Sequence, residues 1–147
     1  MNRRQILSAA ALAPLFATSG FWAAAHAQGA ATGKRHKLVI QVSDNDPAKW
    51  NLALNNARNV QDDLGAANVD MEIVAYGPGI GMLKMEAPVA ARVSEAAKAG
   101  VKIIACENTM RAQKLTKDDM HASISYVTAG VTEIMKKQGE GWAYVRP

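Results

Sequence analysis

Val101-Lys102-Ile103-Ile104-Ala105-Cys106-Glu107-Asn108-Thr109-Met110-Arg111 is the stretch on which the reading of this 147-residue chain turns. Its first half is a short apolar, β-branched run, the pattern of a strand buried in a sheet. It stops at Cys106, and turn-forming and helix-capping residue types follow. Cys106 is the only cysteine in the chain. A lone thiol where a buried strand meets a loop is either a small core residue or a reactive atom. The surrounding sequence has to decide between the two.

Working outward, residues 37–43 read as a first strand, and the apolar centre Leu38-Val39-Ile40 implies burial on both faces. Asp44-Asn45-Asp46-Pro47 ends it, with Asp46 placed to cap a helix and Pro47 to begin it. That helix carries Trp50, Leu54, Ala57 and Leu64 along one stripe and closes at Gly65. Residues 69–75 read as a second strand, in which Val69, Met71 and Ile73 alternate with Asp70 and Glu72, so one face is expected to be partly wet. Tyr76-Gly77-Pro78-Gly79-Ile80-Gly81 reads as a loop. Residues 88–99 read as a helix with Val89, Val93 and Ala96 turned inward.

Beyond the opening stretch, Thr116-Lys117-Asp118-Asp119 has the form of a capping box that starts a short helix. Residues 124–127 read as a fourth strand, 130–138 as a helix and 142–145 as a short last strand. The alternation predicts an α/β fold, a three-layer α/β/α sandwich around a mostly parallel five-stranded sheet with right-handed crossovers.

Residues 1–27 read as an address rather than as part of that fold. Arg3-Arg4 followed by Gln5-Ile6-Leu7 leads into a long uncharged, alanine-rich stretch, and Ala25-His26-Ala27 has the small residues of a cleavage site. The paired arginines and weak hydrophobicity fit a twin-arginine signal, cleaved after Ala27. An uncleaved anchor is the alternative, but Pro14, Ser19 and Gly20 make the stretch a poor membrane span. Residues 28–36 are then a flexible leader and 37–147 the folded domain. The expected location is the periplasm, with no membrane contact after cleavage. In an oxidising compartment an unpaired cysteine is buried, joined to another chain, or used chemically.

Composition narrows the options further. With 49% hydrophobic and 20% charged residues, the chain is expected to build a packed core rather than remain disordered. Removing Arg3 and Arg4 leaves 15 basic against 13 acidic residues, a net +2. That surplus, without a basic cluster interleaved with aromatics, does not call for nucleic acid. No His-x-x-x-His or Cys-x-x-Cys spacing suggests a metal, no Gly-x-Ser-x-Gly elbow suggests a serine nucleophile, and no cofactor is called for. His36 and His121 read as surface residues. Met82-Leu83-Lys84-Met85 offers a Met-x-x-Met pair that soft Cu(I) would accept, although methionine is also a routine core filler.

In open α/β sheets, ligands bind beyond the carboxyl ends of the strands. Here those ends are Ser43-Asp44-Asn45-Asp46, Tyr76-Gly77-Pro78-Gly79, Cys106-Glu107-Asn108-Thr109 and Thr128-Ala129-Gly130. Turn amides and helix starts lower the pKa of a thiol nearby, whereas Asp44 and Glu107 would raise it. The residues alone leave the sign of the sum open.

Several segments together resemble the DsrE/DsrF-like family of small α/β proteins. They are Asp46-Pro47-x-Lys49-Trp50 with Leu54-Asn55-Asn56-Ala57, and Val74-Ala75-Tyr76-Gly77-Pro78-Gly79-Ile80. They also include Ala105-Cys106-x-Asn108-Thr109-Met110 and the terminal Gly141-Trp142-Ala143-Tyr144-Val145-Arg146-Pro147. The likeness runs from about Lys37 to Pro147 and is closest to an exported branch. It implies a parallel-sheet fold assembled as trimers or hexamers. It also implies sulfur-relay chemistry in which Cys106 holds sulfur as a persulfide and exchanges it with a donor or acceptor protein. Asn108, Thr109, Asp44, Gly77 and Gly79 are the residues expected to line such a site. The alternatives are a homo-oligomer that binds a small ligand without catalysis, and Cu(I) handling through Met82 and Met85.

Overall fold

The computed structural model describes residues 36–147. The expected export signal and residues 28–35 of the leader lie outside the described residues. Five strands form the sheet: β1 (His36–Val42), β2 (Val69–Ala75), β3 (Lys102–Cys106), β4 (Ser125–Val127) and β5 (Ala143–Val145). Their spatial order is β4-β3-β2-β1-β5, and every pairing is parallel. The first strand begins at His36, one residue earlier than its apolar centre suggested, because His36 pairs with Val69 on β2.

The helices are α1 (Pro47–Leu64), α2 (Ala90–Lys98), α3 (Glu107–Ala112) and α4 (Gly130–Gly139). Asp46 caps α1 by accepting from the Ala48 amide at 2.8 Å. The expected capping box also forms: Thr116 Oγ1 and the Thr116 amide both donate to Asp119 Oδ2 at the start of a single 3₁₀ turn, Lys117–Asp119.

Two apolar layers enclose the sheet. Leu38, Ile40 and Val42 of β1, Met71 and Ile73 of β2 and Ile103 of β3 face α1 and α2, meeting Trp50, Leu54, Ala57 and Val93. The alternate side chains, Val39, Val74 and Ile104, face α4 and meet Ile134. Each fully buried side chain of this size contributes roughly 1.5–3 kcal/mol of burial. The larger layer therefore dominates the stability, while α4 covers the second face together with Tyr76, Val127 and Trp142.

Three sequence expectations change. The segment after β2 is not an irregular loop but a 3₁₀ run, Gly77–Leu83, that carries Ile80, Met82 and Leu83 into the core. Pro78 presets its first turn, and Trp50 holds the far end: its indole N–H donates to Asp44 O at 2.7 Å, and its ring lies against Gly81. No loop separates β3 from α3, because Cys106 ends the strand and is itself the N-cap residue of the helix. Glu72 is not at a wet face. It is buried under α4, and its Oε1 lies 3.3 Å from Lys137 Nζ and 3.1 Å from Lys102 Nζ. A carboxylate so placed is tolerable only because it is paired.

Among the described residues, no helix is long and apolar enough to cross a membrane.

Candidate functional site

Register fixes the neighbours of Cys106 before any side chain is considered. Ala75 pairs with Ala105, so Tyr76 follows on one side of Cys106, and Val127 pairs with Cys106 on the other. Side-chain alternation then turns the sulfur toward the α4 face, the same side as Ile104. This is the carboxyl rim of a parallel sheet, where three chain segments converge: the start of α3, the start of α4 and the 3₁₀ run after β2.

The sulfur is surrounded mostly by donors. As a neutral thiol, Cys106 donates to Thr128 O at 3.9 Å and makes no side-chain cap bond to α3. The Thr109 hydroxyl and the amides of Gly130, Thr109 and Asn108 all lie close enough to bear on the charged form. Thr109 has a fixed hydrogen-bonding sense, because its oxygen accepts from the Gly77 amide at 2.9 Å. Its own proton is therefore free to point at the sulfur.

The electrostatic balance follows from these positions. Burial pushes the Cys106 thiol up, but the Thr109 hydroxyl and then the three amides outweigh it and hold the thiol below its ordinary value. The opposition matters because only 5% of the residue is exposed. A cysteine buried among apolar groups alone would have a raised pKa and be inert. This one is buried among donors.

The expected site residues separate on inspection. Thr109 reaches the sulfur with its side chain and Asn108 only with its backbone. The Asn108 carboxamide instead accepts from Arg111, and its amide also donates to Thr128 O at 3.0 Å. Gly77 acts at one remove: its N–H orients Thr109, and its carbonyl accepts from Gln113 Nε2 at 3.1 Å. The Gly79 amide donates to Tyr76 O at 3.1 Å, so it is committed within the turn.

Asp44 lies on the rim but is held between Lys49 at 3.3 Å and Arg146 at 3.4 Å, the Lys49 bond first among the influences that keep its carboxyl below the usual range. Met82 and Met85 do not make a paired thioether site: Met82 is 0% exposed in the core and Met85 is 60% exposed. Among the described residues, no group of three or more His, Cys, Asp or Glu side chains is placed to hold a metal.

Gly130, Thr128 and Tyr76 lie in the rim segments expected from the sequence but are not among the expected site residues. Tyr76 runs from the edge of the Cys106 site, where its Cβ lies beside Gly130, toward Gln41, Tyr144 and Arg146. The one available signal was compositional: a glycine, a poor helix former, as the first residue of a helix that begins three residues after the end of β4.

A parallel five-stranded α/β/α sandwich with one donor-ringed thiol at its carboxyl rim defines a small single-cysteine α/β domain. The chain belongs to the DsrE/DsrF-like family, whose sequence pattern it matches over residues 36–147. It is similar to the solved structure of the protein of unknown function MTH1491 from Methanobacterium thermoautotrophicum. That similarity is 36% identity with a TM-score of 0.73 over 76% of this chain and 99% of the other. The conserved protein of unknown function BT1422 from Bacteroides thetaiotaomicron shares the fold. It is 16% identical with a TM-score of 0.63 over 76% of this chain and 94% of its own. No curated protein is significantly similar to the chain.

Proposed function

We propose that the protein is a thiol-based sulfur carrier, in which Cys106 accepts sulfane sulfur as a persulfide and passes it to a partner's thiol. The observation that carries this reading is the ring of donors around a buried sulfur, which favours the thiolate against the cost of burial. In the loading step the thiolate attacks the donor's sulfane sulfur. A new S–S bond forms, and the rest of the donor leaves with the electron pair of the bond that breaks. In the unloading step an acceptor thiolate attacks the outer sulfur, and Cys106 departs as thiolate. Neither step requires a metal or a general base.

The export segment read in residues 1–27 supports a periplasmic setting reached by the twin-arginine route. Exposed apolar side chains on α4 (Val131, Met135) and on the edge strand β5 (Tyr144, Val145) support assembly into a homo-oligomer, a trimer or hexamer. Sedimentation of the mature protein at micromolar concentration is expected to give a species larger than the monomer. A monomer would contradict the assembly.

The reading is tested by incubating the mature protein with inorganic polysulfide and measuring its intact mass. A gain of one sulfur atom, removed again by an acceptor thiol, is expected. A second reading, a non-enzymatic small-ligand-binding oligomer, is favoured by one observation, the low exposure of Cys106. Under that reading Cys106→Ala leaves function intact.

A further inference from the structure

We propose that Gly130 is a positioning residue for Cys106: lacking a side chain, it lets the start of α4 seat against the ends of β2 and β3 with its N–H facing the sulfur. This deepens the sulfur-carrier reading by naming what keeps the sulfur nucleophilic, and it rests on that reading only for the use made of the thiolate. A Cβ at position 130 would meet Tyr76 Cβ at 3.1 Å, Val74 Cγ1 at 3.2 Å and Cys106 Cβ at 3.3 Å. Two of these contacts are Cβ atoms whose positions the backbone fixes. The third belongs to a β-branched side chain with little rotamer freedom.

None of the three is the far end of a flexible side chain, so an alanine would have to push the start of α4 outward by a few tenths of an ångström. Gly130 is not in the left-handed backbone region, so the glycine is required for space rather than for conformation.

The displacement acts on the sulfur because α4 is a full helix of ten residues. Its first amides have no partner within the helix, and its amino end carries a partial positive charge. Both influences fall off steeply with distance, so a small retreat weakens the hold on the thiolate. The ionisable groups that the chain brings to this rim are Tyr76 directly after β2, Glu107 at the start of α3 and Glu133 in the first turn of α4 itself. All three are the same in the variant, so a change in thiol ionisation reports on position 130.

The test is the pH dependence of iodoacetamide alkylation of Cys106 in wild type, Gly130→Ala and Gly139→Ala, with urea unfolding run alongside. Gly139 lies at the other end of α4 with no atom within 4 Å of an added Cβ, so it controls for changes in helix stability. Gly130→Ala is expected to move the alkylation midpoint upward and to slow alkylation at pH 7 by about threefold. Gly139→Ala is expected to leave both unchanged. An unchanged midpoint in folded Gly130→Ala overturns the proposal. If Gly130→Ala does not fold, Gly130→Ala/Val74→Ala is compared with Val74→Ala, and the same upward shift is expected, its absence being equally decisive. The readout does not involve sulfur uptake. A wild type that takes up no sulfane sulfur therefore refutes the proposed function and leaves this inference standing.

Discussion

Gly79→Ala is expected to destabilise the domain by roughly 3 kcal/mol, a large fraction of the stability of a domain this size. An added Cβ would stand 2.4 Å from Val42 O, 2.6 Å from Val42 C and 2.8 Å from Ser43 Cα, all backbone atoms at the end of β1. Backbone in a central strand cannot rotate aside, so the Gly77–Leu83 run has to retreat. It would take with it the bond from the Tyr76 amide to Val42 O, now 3.1 Å, and the buried Ile80, Met82 and Leu83. The Gly77 bond that orients Thr109 belongs to the same run, so the thiol site should loosen as well. Urea unfolding provides the check: a midpoint close to that of wild type would show that the turn can move without cost.

Cys106→Ser is expected to lose sulfur uptake altogether while the domain stays folded. A hydroxyl holds no persulfide, and there is no second cysteine to take its place. Serine is close to cysteine in size, and its hydroxyl can still donate to Thr128 O, so the expected stability cost is about 1 kcal/mol. Intact mass after polysulfide treatment, with urea unfolding of the same sample, separates the two quantities. An equal sulfur adduct on wild type and on the folded serine variant would show that Cys106 is not the carrier.

The strands and helices were legible because their apolar periods are clean. Leu38-Val39-Ile40 and Ile103-Ile104 read as buried strands, and Asp46-Pro47 marked the start of α1 to the residue. The five-stranded sandwich followed from the alternation of elements. Local signals were less decisive where one residue type serves two structures. Glu107-Asn108-Thr109 suits a loop or the first turn of a helix, and here it forms the helix.

Partners distant in sequence decided the rest. Glu72 read as wet because nothing local revealed that Lys137, from α4, would close over it. Asp44 belonged to the expected rim, but Arg146 and Lys49 claim its carboxylate. Asn108 and Thr109 were equivalent candidates until the fold gave the Asn108 side chain to Arg111 and set the Thr109 oxygen under the Gly77 amide. Gly130 looked like an ordinary helix start because its close contacts are distant in sequence: Val74 in β2, Tyr76 just after it and Cys106 at the end of β3.

The sign of the Cys106 shift was the question the residues left open, and it has a consequence for stability. A thiol whose folded pKa lies below its unfolded value stabilises the fold fully above the unfolded pKa. That stabilisation is lost as the pH falls through the folded pKa. Relative to Cys106→Ser, wild type should therefore gain stability as the pH rises through the interval between the two. The most direct test is the pH profile of Cys106 alkylation in the native protein, set against the same protein unfolded in urea. The donors around the sulfur predict a native midpoint below the unfolded one. A native midpoint at or above it would mean that burial prevails, and that Cys106 is a core residue rather than a stabilised thiolate.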